Sequence, residues 1–598
     1  MKNTTRNASF LKYIVLAFCV IWLVYFMLNN EIPTDPGDGI MHFFIAQGSW
    51  YQPELFLHHW GKPFFILVSS PFAQFGFNGM VVFNILVFTS TVLIAFRILS
   101  KLGVSVWLQL LFPLVLLVAH DISETTLGGL TEPLFNFALM LSLLLLQEKK
   151  FFWFAIVLSL MPFMRSEGQL PVLLGFFLLL YNKSYKHIPF LATGFIVYAL
   201  VGLIVYHDFW WYFTRSAYNM ENGIYGKGPW NHYLLSYKNY LGNPGLYIVL
   251  LGIPSMIILA FKKRWKDMQL EWWFFAYGMV VGVIVLHSYF LATGQNGALG
   301  LTRIATQGIP IFVLLHLYYL SCFRLFNHVV LRVVFVIFAG ILVMTLVQTK
   351  IYPKKADALE HQVIAAADFL KQQQLTNEKV YYHYPLFSFR YGENPFQPDR
   401  KLIHYSFANF DVSMKSVLKP GDFIVRDSHF GPMEANVQLK DINRHPELVI
   451  VKEFVSSEQL NDALNETEGV IIYQYIPVEK QSKIGSTKKV IAKNKMLHVK
   501  ASEEFTSLPS VTEHYSTETK LYVNLEAKVN GLKIVFDYNS KEDYSIVELK
   551  ANETIENTYL FKTRGKGKLY IWNPDKIEAD LLVNSIQKEK VAYHPIMR

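Results

Sequence analysis

Cysteine is nearly absent: the 598-residue chain has two, Cys19 and Cys322, both in long apolar runs, which excludes a disulfide-stapled scaffold. Charge is scarce as well, with 17% of residues Asp, Glu, Lys or Arg against 52% hydrophobic, and this excludes a disordered, solvated chain. There is no glycine-rich nucleotide loop, no Ser–His–Asp arrangement in a recognisable local context and no internal repeat. A net charge of +9 resides mostly in basic residues that bracket the apolar runs and in a Lys-rich C-terminal half, so it gives no reason to expect nucleic acid as a partner. No compact Asp/Glu/His cluster that demands a metal is legible, and no cofactor is expected.

What the chain has is apolar length. It carries 48 Phe, 33 Tyr and 12 Trp, and its long hydrophobic runs stop near Thr349. A bilayer core takes roughly 20 apolar residues per helix. Runs near that length lie at 11–28, 77–99, 103–119, 132–147, 151–164, 169–182, 188–206, 245–261, 271–292, 304–321 and 328–349, with a shorter interfacial piece at 64–76. The expected fold is therefore a polytopic α-helical membrane protein of about 11 spans. The first run is too long for a signal-peptide core and lacks a small-x-small cleavage site, so it reads as a retained helix.

Charge tests the threading independently, because cytoplasmic loops are enriched in Lys and Arg. Lys2, Arg6, Lys12, Arg97, Lys101, Lys149, Lys150, Lys183, Lys186, Lys262 to Lys266 and Arg324 all fall on one side. The loops 29–63, 120–131, 165–168, 207–244 and 293–303 fall on the other. An odd number of spans sends the C-terminal half outward too. Missing disulfides and short basic turns favour a bacterial inner membrane, N-terminus cytoplasmic, with an endoplasmic reticulum membrane of the same topology as the alternative, and the membrane domain is expected at 1–350. Beyond it, a helix at 356–373 and apolar strands "KVYYHYP", "DFIVRD", "LVIVKEF" and "GVIIYQYIPV" predict an α/β region at 351–480. Lys480–Lys495 reads as a charged linker. The alternating segments "LYVNLEAKV", "LKIVFDY" and "KLYIWNP" predict a β-sandwich at 490–598, where Trp572 suits core packing better than sugar stacking.

The outward loops hold the chemistry. In "GDGIMHFFIAQG" Asp38, His42 and Ala46 share one face of a short helix; Asp38 is either the cap of that helix or an acid above the bilayer. "HHWGKPFF" places Lys62 at the mouth of the next apolar piece, to snorkel toward headgroups or to bind a lipid phosphate as a point charge, while His58 and His59 beside Trp60 suit an interfacial pair. Asp121, Glu124 and Glu132 lie in "HDISETTLGGLTEPLF", where Glu132 suits a helix N-terminus. Arg165 and Glu167 sit between two spans with almost no loop, and Arg303 follows three glycines, where an arginine can form a bidentate phosphate contact.

In order and on one side, these positions resemble the GT-C superfamily of polyprenyl-phosphate-sugar-dependent glycosyltransferases, in the branch holding protein O-mannosyltransferases and lipid A aminoarabinose transferases. The motifs are Asp38, His42 and Ala46, then Lys62-Pro63, then Arg165-Ser166-Glu167-Gly168, then Arg303 and Pro310, and they cover about the first 350 residues. The chain departs from the family in having Asp38-Gly39 where Asp-Glu is frequent, and Lys62-Pro63-Phe64 where Lys-Pro-Pro is common. The resemblance implies inverting transfer of a mannose-type sugar to an extracytoplasmic hydroxyl. Asp38 would be the base and Lys62, Arg165 and Arg303 would hold the donor phosphate, with His42, His59, Asp121, Glu124, Glu132 and Glu167 as further site candidates. The implied partners are a polyprenyl-phosphate-linked sugar, membrane lipids and a protein, glycan or lipid acceptor, with no metal required. A transporter or flippase for lipid-linked sugars is the rival from another class; it usually shows inverted repeats and midplane charges.

Overall fold

In a computed structural model the chain forms two compact units, one of Met1–Lys355 with Phe396–Pro398 and one of Ala356–Pro395 with Asp399–Arg598. The structure describes residues 2–598 except 217–225, 265–267, 296–297, 323–332, 334–336, 338–339, 341–352, 407–413, 415, 438–441, 443–444, 455–468, 482, 509–510, 514–517, 538–543, 562–564 and 594–598.

The first unit is helical. Its main helices are α1 (Lys2–Asn29), α2 (Asp38–Gly48), α3 (Pro63–Ala73), α4 (Phe77–Lys101), α5 (Val106–Val118), α6 (His120–Leu127), α7 (Glu132–Gln147), α8 (Phe151–Leu160), α9 (Gln169–Tyr181), α10 (Thr193–Tyr206), α11 (Gly242–Phe261), α12 (Leu270–Thr293) and α13 (Ile309–Cys322). Among the described residues, five stretches are long and apolar enough to cross a membrane: Phe10–Asn29, α4, Tyr185–Tyr206, α11 and α12. The pair α5 and α6, bent by 69°, makes a sixth if it is one span. Several outward positions are apolar, among them Ile204 at 76% and Phe261 at 84% exposed, as lipid-facing helices require. Ten of the eleven expected spans fall on helices; the eleventh, 328–349, lies outside the described residues apart from three helical positions.

Short helices place charge at depth. At 1.5 Å per residue, the 13 residues from Phe151 through the 3₁₀ turn Met161–Phe163 rise only about 20 Å, short of a core of roughly 30 Å. The charged turn that follows, Arg165 to Gly168, is largely buried within the unit, with the Arg165 and Glu167 side chains 14% and 8% exposed. It is tightly built: a Cβ on Gly168 would lie 2.2 Å from the Met161 carbonyl, so only glycine fits there. At the other end, Glu148 collects Arg97 at 2.6 Å, Lys101 at 2.5 Å and Lys150 at 2.8 Å, tying the ends of α4 and α7 together where the basic turns lie.

The second unit contains a five-stranded sheet of order β2-β1-β3-β5-β4, from β1 (Val380–Tyr382), β2 (Leu402–His404), β3 (Phe423–Asp427), β4 (Leu448–Phe454) and β5 (Val470–Tyr475). The strands β1, β2 and β3 are parallel, and α14 (Ala358–Gln372) packs on the sheet after a capping box closed by Asp357 and Glu360. The strands that follow are β6 (Lys483–Val499), β7 (Phe505–Ser507), β8 (Val511–Glu513), β9 (Glu518–Ala527), β10 (Lys533–Asp537), β11 (Tyr544–Glu548), β12 (Thr554–Phe561), β13 (Gly565–Trp572) and β14 (Ala579–Tyr593). They form two further sheets, β11-β10-β13-β7 and β12-β9-β14-β6, around a core of Leu521, Leu525, Ile534, Phe536, Leu569, Ile571, Leu581 and Ile586. The expected linker at 480–495 is corrected here. Residues Lys483–Val499 form the strand β6, paired along its length with β14. Its lysines mark a sheet edge, where charge discourages further strand pairing, and do not mark a solvated tether.

Candidate functional site

The site is built at the end of the helical unit opposite the Glu148 cluster. A Pro36-Gly37 turn precedes α2, and its geometry is fixed by Asp35, whose Oδ1 accepts from the Gly37 and Gly39 amides at 3.1 and 3.0 Å. The capping role considered for Asp38 therefore belongs to Asp35. Asp38 is the first residue of the helix, its side chain is 42% accessible, and its Oδ1 has no partner among the described residues. Burial of this end pushes the Asp38 carboxyl upward, against the pull of Arg303. The start of α2 lies directly on the turn after α6: a Cβ on Gly39 would meet the Gly128 carbonyl at 2.0 Å. That contact brings the start of α2 onto the C-terminal end of α6.

Arg303, in the 3₁₀ turn Thr302–Thr306, ties the set together. Its Nη1 bonds Asp35, its Nη2 bonds Asp38, and its Nε lies 3.8 Å from Glu132 Oε1. Burial works against its charge, yet Asp35, Asp38, Glu132 and Glu124 raise its pKa above the usual range. The same Glu132 oxygen accepts from Arg165 Nη1 at 2.8 Å, and that nitrogen also reaches Thr131 Oγ1 at 2.7 Å. Glu132 is thus a carboxylate between two guanidiniums, which goes beyond the helix-terminus role its sequence context offers.

Arg165 continues to Glu167 Oε1 at 3.4 Å, and this oxygen also takes His287 Nε2 and Gln307 Nε2, both at 3.0 Å. One residue before, Ser166 Oγ accepts from Lys62 Nζ at 2.9 Å. Lys62 has φ +67° ahead of Pro63, a conformation that a side chain and a following proline both disfavour. The residue is 7% exposed, so the ammonium is turned inward onto Ser166 and does not snorkel outward. Burial, with Arg165 nearby, pushes Lys62 down to about 7, while Glu167 opposes the shift.

Two candidates have packing roles. His42 stacks on Trp60 at 4.6 Å and meets Phe65 edge-on, and burial with Lys62 close by depresses it well below the usual range, so it is neutral. His59 packs against Tyr212 at 4.8 Å, and burial with Lys62 pushes both His58 and His59 down to about 4. Asp121 and Glu124 join His120 at the start of α6 in a group of their own: His120 Nδ1 lies 3.2 Å from Asp121 Oδ1 and 3.8 Å from Glu124 Oε2.

Geometry thus links Asp38, Lys62, Glu132, Arg165, Glu167 and Arg303 in one network, with Asp121 and Glu124 beside it. Asp35, in the first outward loop, and Ser166, inside the motif Arg165-Ser166-Glu167-Gly168, stand in segments that the sequence marks but without a role of their own, while His287 and Gln307 are not marked at all. His287, a lone imidazole in an apolar span, carried a usable signal, because polar side chains at such positions are expensive and look inward. Neither a scan against protein-family models nor a search of curated proteins finds a match.

Proposed function

We propose that the chain is an integral membrane glycosyltransferase of the GT-C type, with about eleven spans and an extracytoplasmic C-terminal half. It moves a sugar from a polyprenyl-phosphate donor to an acceptor hydroxyl with inversion. The observation that carries the reading is the pairing of an accessible carboxylate, Asp38, with an adjacent set of recessed cations. Asp38 Oδ1 takes the acceptor's proton as its oxygen attacks the anomeric carbon; Arg303 on Oδ2 fixes the direction of the other oxygen. The sugar–phosphate bond breaks with its electron pair leaving on phosphate, so the leaving group needs no acid.

The cations divide the work. Arg303 presents both terminal nitrogens to carboxylates, and Arg165 is held by Glu132 and Glu167, so these arginines order the acid side of the site. Lys62, next to the neutral Ser166 hydroxyl, is the cation best placed to receive the phosphate, whose charge would restore the proton that burial loosens. Burial of the turn at 165–168 sets this cation below the outer surface, where a lipid-borne phosphate enters sideways.

The direct test supplies purified full-length protein in nanodiscs with a polyprenyl-phosphate sugar and mixed acceptors, and scores free polyprenyl phosphate together with glycosylated product. Cleavage with transfer is the expected result. Lipid moved across the bilayer with the sugar–phosphate bond intact would make the protein a flippase.

A further inference from the structure

His120, Asp121 and Glu124 bring three metal-type donor atoms within 4.8 Å of one another, the one such group among the described residues. Three donors held by a metal at about 2.1 Å in tetrahedral geometry stand about 3.4 Å apart. The two separations from His120, 3.2 Å to Asp121 and 3.8 Å to Glu124, bracket that value, and the third lies within 4.8 Å, so a small side-chain adjustment completes the set. The ligand set comes from one turn: residues i, i+1 and i+4 at the start of α6, where the apolar run "LVLLV" gives way to "HDISE" and the chain bends.

A second observation favours a cation at this group. Asp121 is 2% exposed, and its Oδ2 is buried with no hydrogen-bond partner among the described residues. An orphaned carboxylate oxygen is costly to bury, and an added positive charge would compensate it. The surroundings lean the same way. Six carboxyl groups (Asp35, Asp38, Asp121, Glu124, Glu132 and Glu167) share this end of the unit with three basic side chains, Lys62, Arg165 and Arg303. Carboxyl groups thus outnumber the basic side chains two to one before any anionic donor arrives.

We propose that His120, Asp121 and Glu124 bind one divalent transition-metal ion of the Zn²⁺ class. The imidazole and two carboxylates supply three ligands and leave a fourth position open. His120, 61% exposed, keeps the group reachable from solvent, so the ion can enter the folded protein. The open position takes an oxygen, from water or from a phosphate. The inference rests on the cluster itself, and only its link to phosphate depends on the transferase reading.

The experiment uses full-length protein in detergent, stripped with a chelator and titrated with Zn²⁺ alone by calorimetry, followed by metal analysis after gel filtration. One equivalent per chain is expected for wild type, with affinity reduced more than tenfold in H120A/E124Q and in E124Q alone. Substituting Co²⁺ should give a visible absorption band that disappears in H120A. Folding of each variant is checked by its gel-filtration profile and by its thermal midpoint in chelator, which should match wild type. No bound equivalent in wild type, or equal binding by wild type and both variants, overturns the site. As neither donor nor acceptor is present, this result is independent of whether the transfer assay succeeds.

Discussion

Removing Arg303 should expose what it restrains. The guanidinium bridges Asp35 and Asp38 and approaches Glu132 at 3.8 Å, with Arg303, Asp35 and Glu132 at most 14% exposed at their side chains and Asp38 at 42%. Breaking a fully buried ion pair by removing one partner costs about 3–5 kcal/mol, and an exposed pair is worth about 0–1 kcal/mol. The Asp35 contact belongs nearer the first class and the Asp38 contact between the two. Loss for Arg303→Ala is thus expected at about 3–4 kcal/mol, less than a sum because the freed carboxylates pick up protons to relieve their repulsion. Arg303→Lys keeps a charge but reaches one carboxylate at a time, and should recover about half. The assay is the denaturation midpoint in detergent at pH 7.5 and about pH 5, the deficit shrinking at the lower pH as carboxylates are protonated. A deficit below about 1 kcal/mol at both pH values, or full rescue by lysine, would refute the bridging role.

Other expectations follow from neighbouring residues. Lys62, pushed down to about 7, is charged at pH 6 and largely neutral at pH 8, so donor affinity should fall as pH rises through 7, whereas Lys62→Arg should give a flat profile. For the fold the sign is opposite: the unfolded lysine holds its proton up to its ordinary value of 10.5, so stability rises with pH between about 7 and that value, a trend Lys62→Met should remove. Gly168→Ala drives a Cβ into the Met161 carbonyl, 2.2 Å away, and should cost about 2 kcal/mol or more with a matching drop in thermal midpoint. A reporter fused at Lys150 should be cytoplasmic and one fused after Lys355 extracytoplasmic; finding both on one side would break the threading.

The helices and strands were legible because their signals are local. Apolar runs mark α1, α4, α11 and α12, and alternation marks strands such as Glu518–Ala527. Helix ends followed from Pro, Gly and Lys placement. Less legible was the charge pairing. Asp35 and Arg303 are separated by 268 positions, and nothing in either loop encodes that they meet. The same limit hid the bridging of Arg165 and Arg303 by Glu132, which local context explains as a helix-terminus acid. His120 was missed for another reason. Its cluster is local, i to i+4, but only once the chain bends between α5 and α6 does this turn become a helix start with all three side chains converging. The lysines of β6 show the reverse error, where composition suggested a linker and the partner strand β14, nearly a hundred residues on, decided otherwise.

Asp38 as the proton acceptor is tested by the transfer rate of Asp38→Asn beside wild type, measured at saturating polyprenyl-phosphate sugar with donor binding determined separately. The amide keeps the size of the side chain and can still meet Arg303, but it cannot accept the acceptor's proton. A fall of about 10² to 10⁴ in rate with donor affinity nearly unchanged is the result the account requires. Transfer by Asp38→Asn within a few-fold of wild type would contradict it, leaving Asp38 a partner of Arg303 and no more.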